Sequence, residues 1–114
     1  MIQIFGTPKC KNTKKAERFF RERRIPFQLI NLFEKEMSPR EFQSVVKAVG
    51  GIENLIDRDS RDYSRIAWLS EEDIPEKLTA EPQLMKTPVV RNGAGACCGY
   101  QPDCWKKFCT DTVK

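Results

Sequence analysis

The chain has 114 residues, 39% hydrophobic and 32% charged, which supplies the bulk for one core and argues against a chain dominated by disorder. Its net charge of +4 is unevenly spread, with eight Lys or Arg in residues 1–24 against only Glu17 and Glu22. The opening "MIQIFGTPKC" lacks the pattern of a signal peptide, and no apolar run approaches the roughly 20 residues of a membrane span, so a cytoplasmic protein with no membrane association is expected.

In chain order, "MIQIF" alternates as a short strand and "GTP" breaks it. From Asn12 to Arg24, Thr13, Ala16 and Phe20 recur at helical spacing among basic residues. Pro26 disfavours helix at Ile25 and is expected to end this segment. "FQLINLF" then reads as a buried second strand. "SPREF" is a helix start, with Ser38 as cap, Pro39 in the first turn and Glu41 completing a capping box. Phe42, Val45, Val46 and Val49 form the apolar stripe of that helix, and Gly50–Gly51 stops it. The stretch from Ile52 to Leu84 reads as short helical pieces, with Ser70 and Asp73 as a further cap. Val89 and Val90 suggest a strand, and Asn92–Gly93 a tight turn into the next. A closing helix follows from Pro102 to about Cys109. The order is β-α-β, a helical middle, a hairpin and a last helix, which is an α/β domain spanning 1–114 with a small mixed sheet.

Five cysteines fit reduced thiols better than a paired disulfide framework, and histidine is absent. Thiol chemistry here must therefore rest on electrostatics and not on a Cys–His pair. Cys10 lies in the loop after the first strand, at the mouth of the first helix. A helix N-terminus offers unpaired N–H groups and the positive end of the macrodipole, a setting that favours thiolate over thiol. Lys9, Lys11 and Lys14 are candidate cations, and Asn12 and Thr13 candidate donors to the sulfur or to an incoming oxyanion. The alternative is a free cysteine packed at a strand–helix junction. The lysine-rich, polar loop around Cys10 favours the reactive reading.

Taken together, "GTPKCKNTKKA", "TPVV" and "GYQPDCWKKF" resemble the ArsC/Spx family, and the resemblance runs over essentially the whole chain. It implies a thioredoxin-like, glutaredoxin-type fold with a helical insertion, roughly residues 38–85, before the strand that follows a cis-proline. It also implies that Cys10 is the nucleophile, and that Pro88, in the cis form, faces it and presents backbone to a bound thiol substrate, with Thr87 beside it a candidate substrate-binding residue. The implied activity is that of an arsenate-reductase-like monothiol oxidoreductase acting on a small thiol or oxyanion. It would hold no bound cofactor and would use glutathione or thioredoxin as reductant. The Spx branch implies instead a non-enzymatic regulator that binds transcription machinery. Where arsenate reductases of this type carry three arginines, this chain has Thr87, Asp57 and the neighbourhood of Gly95. Arg58, Lys86 and Arg91 are the cations left to substitute. The C-x-x-C of many Spx proteins is also missing, because Thr13 stands three residues after Cys10.

Of the remaining cysteines, Cys97 and Cys98 are adjacent on a strand and so point to opposite faces, one expected in the core and one outward or under a helix. Cys109 is expected in the core beside Trp105 and Phe108. Cys97 or Cys104 is a candidate resolving thiol for Cys10. Their spacing lacks the paired knuckles of structural zinc, so no metal site is expected. Direct nucleic-acid binding is disfavoured, since the basic helix lacks interleaved aromatics and the acidic clusters "FEKE" and "SEEDIPE" dilute the field.

Overall fold

The computed structural model describes residues 2–112. Strand β1 (Ile2–Gly6) leads into helix α1 (Lys11–Glu22), and β2 (Phe27–Asn31) into α2 (Pro39–Ala48). Three short 3₁₀ turns and helix α3 (Ile74–Ala80) fill the middle, followed by β3 (Val89–Asn92), β4 (Gly95–Cys98) and α4 (Pro102–Thr112). The sheet order is β2-β1-β3-β4, with β1 parallel to β2 and antiparallel to β3, and β3 antiparallel to β4.

Alternation along β1 sets the two layers. Ile2 and Ile4 face α1 and α4, where they meet Ala16, Phe20, Val90, Cys97, Trp105 and Phe108. Phe5 faces the other way, into a layer made by α2 and the helical middle with Val45, Leu55, Leu78, Leu84 and Val89. Both faces of the sheet are covered. Cys97 and Cys98 therefore do point oppositely, yet both are buried, one in each layer. Cys109 stops short of the core; it is half-buried at the margin of the α1/α4 layer.

Two elements differ from the sequence reading. Helix α1 ends at Glu22, before Pro26 acts, because a Schellman motif closes it: Ile25 N–H bonds to Phe20 C=O (3.0 Å) and Arg24 N–H to Arg21 C=O (3.0 Å). Arg24 takes the left-handed position of that motif (φ 58°), where glycine is usual. Strand β2 is only partly buried, with Ile30 in the core. It lies at the sheet edge with Gln28 and Leu29 exposed, because β1 takes the central place between β2 and β3. It stops at Asn31, whose side-chain oxygen accepts the Phe33 N–H (2.9 Å) and turns the chain.

The capping box at α2 forms as its spacing requires: Glu41 N–H donates to Ser38 Oγ (3.1 Å) and Ser38 N–H to the Glu41 carboxylate (2.9 Å). At α3 the cap is Asp73, while the Ser70 hydroxyl donates to the Asp73 carboxylate (3.0 Å) and not to a helix end. In the hairpin, Asn92 pairs with Gly95, so the two-residue loop is Gly93–Ala94, and Gly93 supplies the positive φ (61°) such turns need.

The helical middle grips the segment before β3. Lys86 N–H bonds to Leu55 C=O (2.6 Å), Asp57 N–H to Leu84 C=O (2.8 Å), and Ile56 bridges Met85. These bonds fix the chain immediately ahead of Thr87–Pro88, whose peptide bond is cis. Among the described residues no helix is long and apolar enough to cross a membrane.

Candidate active site

The carboxyl end of β1 delivers Gly6, Thr7, Pro8 and Lys9 as a loop, and Thr7 C=O accepts the Cys10 N–H (3.1 Å) to turn it into α1. Cys10 is then the N-cap of α1, with extended backbone (φ −79°, ψ 114°). Its sulfur accepts the Thr13 N–H at 3.4 Å, the role a Ser or Asp oxygen usually plays at a helix start. A helix end therefore holds the sulfur, and no acidic side chain occupies that first turn.

The close fit of Thr13 against the strand explains Gly6. A Cβ at Gly6 would overlap the Thr13 side chain, so only glycine lets the first turn of α1 sit so near β1. The Thr13 hydroxyl is buried with no hydrogen-bond partner among the described residues.

The second wall comes from the other side of the sheet centre. The pairing of Phe5 with Val89 brings the start of β3 beside the end of β1, and with it Thr87 and Pro88. The Thr87 hydroxyl lies 3.1 Å from Cys10 Sγ, and the Thr87 carbonyl 3.6 Å from it. The carbonyl can accept the thiol proton, whereas the hydroxyl can donate to the sulfur once that proton has gone. The half-buried sulfur thus sits between a backbone N–H, a hydroxyl and a carbonyl.

Of the other residues singled out in the sequence, Lys9 and Lys11 flank Cys10 with exposed side chains, and Asn12 is half-buried in the first turn. The structure does not bring Arg91 to this place. It lies in register with Gln3, two residues further from the sheet edge than Val89, and its guanidinium is held by Gln3 Oε1 (3.1 Å) and Glu41 (3.8 Å). Arg58 and Lys86 instead line a cavity with Cys97, Cys98 and Cys104. Sequence reasoning missed Gly6 and the Thr7 carbonyl, which a strand–Gly–Thr–Pro–x–Cys pattern could have suggested only as a tight turn.

The remaining thiols have different environments. Burial pushes Cys97 far above the ordinary thiol value, helped by its contact with Cys104. Burial raises Cys98 and Cys109 as well, against the opposing pull of Lys86 and Arg23 respectively. The Cys98 thiol donates to Asn54 C=O (3.1 Å). Among the described residues, no three of Cys, Asp and Glu are grouped to hold a metal ion.

The model of the ArsC family matches residues 5–108. The global transcriptional regulators Spx of Staphylococcus aureus and Staphylococcus epidermidis are each 24% identical over 119 aligned residues, covering 100% of this chain and 91% of theirs. Among solved structures, an arsenate reductase from Vibrio cholerae superposes with a TM-score of 0.80 at 18% identity, over 94% of this chain and 96% of the other. An arsenate reductase (ArsC) related protein from Brucella melitensis gives 0.70 at 18% identity, over 94% and 92%. At such identities the structural likeness speaks to the fold, which is thioredoxin-like.

Proposed function

Because the chain belongs to the ArsC family, we propose that it is a monothiol oxidoreductase in which Cys10 is the nucleophile and glutathione or thioredoxin the reductant. The observation that carries this reading is the paired donation to one sulfur, from Thr13 N–H at the helix mouth and from the Thr87 hydroxyl beside the cis-proline. Both donors favour the anion, and the thiolate is the attacking species in disulfide exchange.

The reaction is a two-step exchange. Cys10 thiolate attacks the glutathione sulfur of a glutathione mixed disulfide, forming Cys10–S–SG, and the substrate's own sulfur leaves as a thiolate. A second glutathione thiolate then attacks the glutathione sulfur on Cys10, releasing Cys10 thiolate and glutathione disulfide. Each step breaks one S–S bond and makes one, so electrons balance at every stage. The Thr87–Pro88 backbone would line up the incoming disulfide, and the Thr13 N–H would hold the sulfur each time it leaves.

The test is reduction of a glutathionylated peptide by glutathione with and without the protein. The expected result is acceleration that vanishes in Cys10→Ser, with Cys10 the first of the five thiols alkylated near neutral pH. Equal rates for the wild type and Cys10→Ser would overturn the reading.

A second reading has its own observation. The likeness to Spx regulators covers the full chain, and Trp68 on the helical middle is 88% exposed. On that reading the protein is a cytoplasmic regulator that binds a component of the transcription machinery without catalysis. A stable complex with RNA polymerase that survives Cys10→Ser would favour it over the enzyme; no complex would remove it.

A further inference from the structure

A second pair of thiols meets away from Cys10. Cys97, in β4, and Cys104, in the first turn of α4, come together across the short loop Gly99–Gln101, on the same layer and at the same cavity. Cys97 is 8% exposed and packs in the α1/α4 layer beside Trp105, while Cys104 is half-buried against the same layer. Both line an open cavity of about 670 Å³. The third thiol there, Cys98, points into the opposite layer and is engaged by the Asn54 carbonyl.

We propose that Cys97 and Cys104 form a dithiol site that a low-molecular-weight peptide disulfide oxidises to an intramolecular disulfide, with Cys104 as the entry sulfur and Cys97 as the partner that closes the bridge. Exposure sets the order, since only Cys104 is open enough to meet a reagent in line with its S–S bond. Cavity chemistry sets the ligand class. Arg58 and Lys86 supply cations, and Glu53, Asp57 and Asp59 supply anions, a mixed lining suited to a zwitterionic peptide that carries both carboxylates and an amine.

The step balances. Cys104, as thiolate, attacks one sulfur of glutathione disulfide, forming Cys104–S–SG and releasing one glutathione thiolate. Cys97 attacks the Cys104 sulfur and its proton passes to the departing glutathione thiolate, forming the bridge and releasing the second glutathione. Two protein thiols are oxidised and one disulfide is reduced to two thiols. The site does not require Cys10, and so stands or falls separately from the proposed activity. The bridge would tie β4 to α4 around Gly99, whose N–H bonds to the Pro88 carbonyl (2.9 Å) beside the Cys10 site.

The experiment is oxidation of the reduced full chain with a glutathione redox buffer, blocking of free thiols, and peptide mapping by mass spectrometry. Cleavage after Tyr100 parts Cys97 and Cys98 from Cys104, so a bridge joins two peptides that reduction separates. The expected result is a Cys97–Cys104 link in the wild type, in Cys10→Ser and in Cys98→Ser, lost in Cys104→Ser, where Cys97 stays a free thiol. Because Cys104 is half-buried, that variant keeps the core side chain of Cys97 in place. A dominant link through Cys98 or Cys10, or glutathione adducts on Cys104 that never resolve, would overturn the proposal.

Discussion

Cys10 and Thr87, 77 residues apart in the chain, meet through a hydroxyl-to-sulfur hydrogen bond of 3.1 Å. The bond exists because β1 and β3 are neighbours in the sheet, and because the helical middle holds Lys86 by the Leu55 carbonyl. A hydrogen bond to a charged group contributes about 1.5–3 kcal/mol, so Thr87→Val should slow alkylation of Cys10 and reduction of a glutathione mixed disulfide by about tenfold or more. Thr87→Ser, which keeps the hydroxyl, should stay near wild type. Equal rates for Val and Ser would show that the hydroxyl does nothing for the sulfur.

Arsenate should be a poor substrate. An arsenate adduct on Cys10 needs cationic donors close by, preferably bidentate. Here Thr87 stands before Pro88, Arg58 lines the cavity of the other thiols, and Arg91 is engaged by Gln3 and Glu41. Arsenite formation with glutathione or thioredoxin recycling is expected at a small fraction of the rate with a glutathione mixed disulfide. Comparable rates for the two substrates would contradict this.

The contact between Gly6 and Thr13 offers a stability test. Gly6→Ala forces a methyl group against the Thr13 side chain and should destabilise the fold by about 1–3 kcal/mol in urea denaturation. Adding Thr13→Ala removes the obstacle, so the double variant should be less destabilised than the sum of the two single changes. Simple additivity would mean that the strand and helix do not press together there.

Buried thiols give the protein an alkaline weakness. Cys97, Cys98 and Cys109 all sit above their ordinary value of 9.0, with burial as the main cause. Above that value the unfolded chain releases thiol protons that the folded chain retains, so the unfolded state is favoured progressively. The stabilisation is complete below about pH 9 and declines as pH rises from there. Denaturation of the reduced protein at about pH 8 and about pH 10 should show the drop, and Cys98→Ala should make it smaller. A variant that loses as much stability as the wild type over that interval would exclude Cys98 as a contributor.

Features set by a few neighbouring residues were readable in the chain. The capping box of Ser38 and Glu41, a glycine-led hairpin turn (at Gly93–Ala94, one residue later than the Asn92–Gly93 pair suggested), and the placing of Cys10 at a helix mouth each follow from short spacings. The hidden features depend on distant neighbours. Whether β2 is covered depends on where β3 inserts, and that put Leu29 outside. Both Cys97 and Cys98 are buried only because α4 packs on one face of β4 and the helical middle on the other. Helix α1 ends early for another reason. Arg24 accepts a left-handed backbone that its residue type disfavours, and the helix closes when Ile25 packs on Phe20. The fate of Arg91 was invisible because Gln3 and Glu41 come from two other elements.

Cys97 and Cys98 give β4 a use in the laboratory. One sulfur belongs to the upper half of the interior and its neighbour to the lower half, separated by a single peptide unit. Both sulfurs touch the cavity beside Lys86 but are more than nine-tenths buried, so a colour-producing thiol reagent applied under native conditions reacts with each at a rate set by how far its own half loosens. With the other cysteines replaced one at a time, two reaction rates would report separately how often each half loosens. Equal rates would mean that the halves part together, and unequal rates would identify the one that lets go first.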